Sequence, residues 1–411
     1  MSATGARSAA HRVVLRVFED GAYADRAFAS AAARLDERDR PLAHRIAYGT
    51  VQRVRTLDYA IEALGRRPVR KLDPAVCAAL RIGSYQLGYL EIAPHAAVSE
   101  SVELVREAGL ERAVAFTNAV MRRLAEGMRP LVESLPERTA AEAALKHSYP
   151  DWVAETWWKE LGRQGALDLM RAQNEPLETV VRRNRRKEGR VEGSPDSDLP
   201  DALQVERVDE RALADGVVWP QSRGSQLAGL AVRAGAGDRT LDLCAAPGGK
   251  ATQLAGKVVA VEKHPGRARE LEENCRRLGA DNVTVVCADA LELPRSLDGF
   301  DKAIVDAPCS SLGILASRPD ARWRAQPLPE LQLALLRAAV ERVRPGGSVV
   351  YSVCTINSAE NERIVEASGL EPDPSLAEEW PQFRHPRRPD FLLTLPHIHR
   401  TSGFFIARLR V

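Results

Sequence analysis

The hydrophobic positions of this 411-residue chain change period once, and that change divides it. Up to about residue 126, apolar residues recur three and four apart. Val13, Val14, Val17 and Phe18 form one such set, and Ala27, Phe28, Ala31 and Ala32 a second. Leu57, Ala60, Ile61 and Leu64 follow, then Phe116, Val120, Met121 and Leu124. This spacing lines one face of a helix. Similar runs fall around Leu80 to Leu90 and Val102 to Val105, with breaks at Gly65, Pro94 and Gly109. The pattern predicts an all-α bundle of six or seven helices over 6–126, without a strand.

From about residue 238 the pattern switches to short β-branched runs alternating with amphipathic stretches. Strands are predicted at 239–243, 258–262, 283–287, 301–305 and 347–353, with a closing strand at 404–410. Helices are predicted at 249–255, 265–278, 330–343 and 358–367. Such alternation implies an α/β domain with a mostly parallel, Rossmann-like sheet. Between the two regions lies an aromatic helix with Trp152, Trp157 and Trp158. A β-type run at 178–181 and the basic run Arg182, Arg183, Arg185, Arg186 and Lys187 come next. Residues 188–200, rich in Gly, Ser, Pro and acids, read as a flexible surface loop. The expected organisation is therefore an all-α domain at 1–128, a connecting α+β subdomain at 129–200, and an α/β domain at 201–411.

Charge adds an asymmetry. The chain carries a formal +2, but residues 1–128 hold 19 Lys/Arg against 15 Asp/Glu, leaving the remainder at −2. A basic helical module fits an anionic polymer as partner, and the run 182–187 reads as a phosphate contact. Six cysteines without C-x-x-C spacing argue against a disulfide framework and a zinc site, and imply a reducing, cytoplasmic setting. No apolar stretch approaches membrane-spanning length, and the amino-terminal stretch has no signal-peptide character. Neither a metal nor a membrane is expected, and a monomer is.

The candidate chemistry sits at the predicted strand ends, where open α/β sheets bind ligands. The first strand runs into Cys244-Ala245-Ala246-Pro247-Gly248-Gly249-Lys250. Glycines there permit close backbone approach to a ligand, and a helix from Gly249 would present free amides. The Walker pattern is absent, since Lys250 precedes Ala251 and Leu243 stands where that pattern needs glycine. The second strand ends at Glu262, placed to accept ribose hydroxyls, and the third runs into Asp289, placed to accept an adenine amino group. A glycine turn and two strand-end acids, without G-x-G-x-x-G, fit S-adenosylmethionine better than NAD. The fourth strand delivers Asp306-Ala307-Pro308-Cys309 and the fifth Cys354, two thiols 45 positions apart. Both are candidate nucleophiles, and position alone does not rank them.

These residues carry a resemblance. The strings LDLCAAPGGKATQLA, VVAVEKHPGRARELEENCRRLG, FDKAIVDAPCSSLG and YSVCTINSAENE resemble the Nol/Nop/Sun family of RNA cytosine-5 methyltransferases, from about residue 140 onward. AAHRVVLRVFEDGAYA, ALRIGSYQL, HAAVSESVELV and FTNAVMRRLAE resemble the NusB-like RNA-binding fold. Together they are similar to the RsmB/Fmu type of ribosomal RNA methyltransferase. The resemblance implies a cofactor, S-adenosylmethionine, held by Cys244, Ala245, Ala246, Pro247, Gly248, Gly249 and Lys250, with Glu262 at its ribose, Asp289 at its adenine and Asp306 near its methyl group. Arg267 would assist at the ribose. It implies that Cys354 attacks carbon 6 of an unpaired or flipped-out cytosine in small-subunit (16S) ribosomal RNA, that Cys309 assists release, and that a protonated Asp306 faces the ring nitrogen. Three departures from the family pattern stand out: Val353-Cys354-Thr355 for Thr-Cys-Ser, Gln221-Ser222 for Gln-Asp, and Ser402-Gly403-Phe404-Phe405 for Asp-Gly-Phe-Phe.

Overall fold

The computed structural model describes residues 4–411, and they form two compact units. The first comprises residues up to Asn174 together with Leu315–Arg324, and the second comprises Glu175–Ile314 and Ala325–Val411. No helix among the described residues is long and apolar enough to cross a membrane.

The first unit is helical throughout, as its period requires. Helices Gly5–Phe18, Ala24–Ala31, Arg40–Gly65, Pro74–Tyr89, Pro94–Glu107 and Glu111–Ser134 follow one another, with one 3₁₀ turn at Val69–Lys71. Their apolar stripes, including Val13, Ile46, Leu57, Leu80, Val105 and Met121, close one core. Pro at the first turn and an Asp73 side chain that accepts from Ala75 N start the fourth helix. Two further helices, Ala140–His147 and Asp151–Ala172, complete the unit; the second breaks at Gly162, where φ is 70°. Buried Arg322 from the inserted segment is stacked 4.2 Å from the Tyr149 ring. It donates to the carbonyl oxygens of Gln52 and Ser148, each at 3.0 Å.

The expected boundaries at 128 and 200 do not coincide with this division. Thr56 Oγ1 donates to Leu145 O at 2.6 Å and Arg55 N to Ser148 Oγ at 3.1 Å, so residues 140–172 pack on the amino-terminal helices. The connecting region also joins the other unit as a four-stranded antiparallel sheet. Its strands are β1 (Val180–Arg183), β2 (Ser194–Pro195), β3 (Ala202–Gln204) and β4 (Val218–Pro220), in the order β2-β3-β1-β4. Within the expected loop 188–200, β2 pairs with β3 and Leu199 is buried, so part of it is anchored.

The main sheet contains β5 (Arg239–Asp242), β6 (Lys257–Glu262), β7 (Val283–Cys287), β8 (Phe300–Asp306), β9 (Val343–Val353), β10 (Glu371–Pro372), β11 (Leu392–Thr394) and β12 (Phe404–Arg410). Its order is β10-β12-β9-β8-β5-β6-β7, with β11 beside β12. Strands β9 to β7 are parallel and β12 is antiparallel to β9. The chain winds outward from β5 in both directions, which places a crevice over the carboxyl ends of β5 and β8. Helices Pro265–Leu278, Pro329–Val340 and Glu362–Ser368 match expectation in kind. The expected helix 249–255 is only a 3₁₀ turn at Ala251–Gln253. Its cause is space: Gly256, at φ 68°, turns the chain directly into β6, and a side chain there would strike Asp238 O at 2.3 Å.

Candidate active site

Five strand ends of the second unit supply the site. β5 ends in Asp242, which is 1% exposed, and its Oδ1 accepts Cys244 N at 3.3 Å. Its other oxygen has no hydrogen-bond partner, and burial, with Asp306 nearby, pushes its pKa up to about 7. The turn that follows passes through Gly248 at φ 110°, where a side chain would also meet Leu271 Cδ1 at 2.7 Å. Burial raises the Cys244 thiol well above its ordinary range, so that thiol is inert at neutral pH.

β6 ends in Glu262, 5% exposed, whose Oε1 accepts His264 N at 2.9 Å. Arg267 stands 3.5 Å from Glu262 Oε2 and donates to Ala246 O at 2.9 Å, tying this acid to the glycine turn. Asp289, past β7, accepts from Lys263 Nζ at 2.7 Å and Leu291 N at 3.0 Å. Lys250 ends the glycine turn. Its ammonium crosses to Asp306 Oδ2 at 2.6 Å, above the Phe404 ring at 5.3 Å. Ser352 Oγ donates to the other Asp306 oxygen at 2.8 Å. Both Asp306 oxygens therefore accept, one from Lys250 and one from Ser352.

The two thiols meet. Cys309 Sγ lies 3.4 Å from Cys354 Sγ, and both are partly exposed. Glycines make this approach possible. Gly313 N donates to Cys354 O at 2.9 Å and Gly403 N to Gly313 O at 2.8 Å, and a side chain at Gly313 would sit 2.0 Å from Gly403 O. The pair is asymmetric. Contact with the Cys309 sulfur lowers the Cys354 thiol below its ordinary range, with help from Lys250 and Ser311 against burial and Asp306. The same contact, with burial and the Glu360 charge, raises Cys309 well above its own. Ser311 Oγ lies 3.9 Å from Cys354 Sγ, while Val353 is fully buried. Thr355 Oγ1 instead joins Ser310 Oγ at 2.7 Å.

In the basic run 182–187 only Arg182 is buried; Arg183, Arg185 and Arg186 are exposed and Lys187 is half-buried. Arg182 is 5% exposed and donates to Thr252 Oγ1 at 2.8 Å, and burial lowers its pKa to about 10. Arg186 donates to Leu254 O at 3.2 Å and Asn282 Oδ1 at 3.1 Å, and Arg185 pairs with Asp201 at 2.5 Å. Arg182 and Arg186 staple the small sheet to the main one, while Arg183 and Arg185 stay exposed to solvent. Among the described residues no group of three His, Cys, Asp or Glu side chains is arranged to hold a metal ion.

Comparison with known proteins agrees with this geometry. A family model described as 16S rRNA methyltransferase RsmB/F matches residues 230–410, and a NusB family model matches residues 4–126. The probable ribosomal RNA small subunit methyltransferase B of Bacillus subtilis (strain 168) is 30% identical over 447 aligned positions, spanning 100% of this chain and 99% of that protein. The chain belongs to the RsmB/F family of 16S rRNA methyltransferases. The ribosomal RNA small subunit methyltransferase B of Vibrio cholerae is 30% identical over 388 positions, 88% of each chain. Among solved structures, the crystal structure of PH0851 shares the fold at TM-score 0.82 and 22% identity, over 100% of both chains. NSun6 from Pyrococcus horikoshii, solved with SFG, shares it at TM-score 0.58 and 23% identity, over 64% of this chain and 98% of that one. Members of this family are dependent on S-adenosylmethionine, and so is this enzyme. The site fits that cofactor: a side-chain-free turn at Gly248 and Gly249 follows the strand that ends at Asp242, whose second oxygen is unpartnered, with Glu262 at the next strand end. A cationic sulfonium, an ammonium and a ribose diol are the groups such acids accept.

Sequence reasoning missed three residues of this site. Asp242 and Glu360 lie inside the strings LDLC and SAENE but carried no role there, and Ser352 gave no signal in its spacing. Ser352 and Glu360 matter through hydrogen bonds to residues of neighbouring strands and loops, and Asp242 through its burial and its unpartnered oxygen.

Proposed function

We propose that the enzyme methylates carbon 5 of a cytosine in 16S ribosomal RNA through a covalent bond from Cys354 to carbon 6. The single observation that carries this reading is the 3.4 Å meeting of two thiols at adjacent strand ends beside the Lys250–Asp306 pair. Carbon 5 of cytosine is a weak nucleophile, and adding a thiolate to carbon 6 turns it into an enamine-like carbon. Cys354 is the member of the pair held toward thiolate, so it attacks.

Gly248 and Gly249 would hold S-adenosylmethionine, with Glu262 at the ribose and Asp289 at the adenine, and the cofactor would supply an electrophilic methyl group. Asp306 faces the cytosine ring nitrogen, and a proton passed from Lys250 Nζ to Asp306 and on to that nitrogen offsets the negative charge that develops there. Once a base has removed the proton at carbon 5, the Cys354–carbon 6 bond breaks. Cys309, which keeps its proton, donates S–H to the departing Cys354 thiolate and stabilises it. The target base must be unpaired or flipped out to reach these groups. The helical unit, with its excess of basic residues, is assigned to RNA binding.

The test combines the purified enzyme, methyl-labelled S-adenosylmethionine and bacterial 16S RNA. Label recovered in 5-methylcytosine is the expected result. Label in another nucleoside, or no label, refutes the reading.

A further inference from the structure

Six positions past Cys354 stands a carboxylate that the mechanism above does not use. Glu360 is fully buried, and neutral donors surround it. Its Oε1 accepts from Ser310 N at 3.0 Å, Gln332 Nε2 at 2.9 Å and Leu328 N at 3.2 Å. Its Oε2 accepts from Ser310 Oγ and from Asn357 Nδ2 at 3.2 Å. A buried carboxyl group met by neutral donors is expensive to keep unless it has a use.

The donors identify that use. Ser310 directly follows Cys309, and its hydroxyl also meets Thr355 Oγ1, which directly follows Cys354, at 2.7 Å. Gln332, held by Glu360, donates to Pro308 O at 2.9 Å on the other side of Cys309. The Glu360 carbonyl is itself fixed by Tyr351 Oη at 2.7 Å, from the strand that delivers Cys354. One side chain thus grips both neighbours of Cys309 and, through Ser310, the neighbour of Cys354.

We propose that Glu360 is a positioning residue for the cysteine pair, locking the two strand-end loops in the register that holds the sulfurs together. The inference rests on the covalent reading of that pair. Its negative charge also opposes ionisation of Cys309, so the first thiolate forms on Cys354 and the S–H that must assist release stays on Cys309.

Glu360→Gln keeps the shape but removes the charge, and its amide group must oppose at least one of the five donors. The measurement is iodoacetamide alkylation of the full-length protein across pH, mapped by peptide mass spectrometry and run without RNA. Cys354 faces Cys309, Ser311, Asp306 and Lys250, and Cys309 faces Cys354, Ser311, Tyr351 and Glu360; only the last changes. Wild-type protein is expected to label at Cys354 well ahead of Cys309. In Glu360→Gln the Cys354-to-Cys309 ratio falls by about tenfold, the change expected for one pH unit of differential ionisation. S-adenosylmethionine affinity by calorimetry stays within about twofold, since Glu360 is not placed at the cofactor turn, and kcat on RNA falls with KM held.

An unchanged labelling ratio overturns the proposal, as does a fall accompanied by loss of cofactor binding. Ser310→Ala is the second variant, because it removes the hydroxyl bridge and keeps the carboxylate. It should lower the ratio by a smaller factor, and no change there also overturns the proposal. Labelling is read without RNA, so a wild-type enzyme that fails to methylate cytosine refutes the function while leaving this measurement to decide the role of Glu360.

Discussion

Asp242→Asn isolates the cost of an ionisable group at the end of the first strand. Asp242 is 1% exposed with one oxygen unpartnered, and its pKa is raised from 3.8 to about 7 by burial and by Asp306. The folded state therefore holds a proton that the unfolded state releases above about pH 4. The stability this proton confers is complete below pH 3.8, declines as pH rises, and is gone above about 7. At about 1.36 kcal/mol per pH unit, the whole change is about 4 kcal/mol, an upper bound because neighbouring groups relax. The asparagine does not titrate, so the variant gains on the wild type progressively between pH 4 and 7 and then holds its lead. Hydrogen exchange of the 239–243 strand, compared at matched pH and at several urea concentrations, reads this difference. Equal protection at pH 4 with greater protection of the variant at pH 8 is expected. A variant that tracks the wild type at both pH values, or is less protected at pH 8, refutes the reasoning.

Three further outcomes follow from contacts in the site. In Cys309→Ala the donor that most depresses the Cys354 thiol is gone, so alkylation of Cys354 shifts to higher pH, measured by mass spectrometry across a pH series. Gly313→Ala places a side chain 2.0 Å from Gly403 O, which forces the two loops apart; kcat should fall by about a hundredfold or more while cofactor affinity, read by calorimetry, is retained. Arg182→Met loses its bond to Thr252 and should destabilise the second unit by about 1–3 kcal/mol in urea unfolding, with the salt dependence of RNA binding unaltered.

Much of the architecture was legible because it depends on local periodicity. The stripe Leu57, Ala60, Ile61 and Leu64 and the runs ending at Glu262 and Asp306 each state their own geometry. What was not legible depends on contacts between distant positions. The 249–255 stretch has helical composition, yet Gly256 turns it into β6 before a helix can form. Arg182 and Arg186 look like a phosphate-binding run, but the pairing of β1 with β3 and β4 directs them toward Thr252 and Asn282. The unit boundary fell past the expected 128 because Thr56 and Arg55 hold residues 145 and 148, a pairing with no periodic signature. At the site, the strand ends and both cysteines were readable, whereas the Lys250–Asp306 pair and the Glu360 anchor exist only once β5, β8 and β9 lie side by side.

The central claim is that Cys354 is the nucleophile and Cys309 the group that lets it go. The most direct measurement incubates Cys309→Ala with S-adenosylmethionine and 16S RNA, resolves the mixture on a denaturing gel, and maps any protein–RNA species by mass spectrometry. A stable adduct joined through Cys354 to a cytosine is the predicted result. No adduct, or one joined through any other residue, contradicts it.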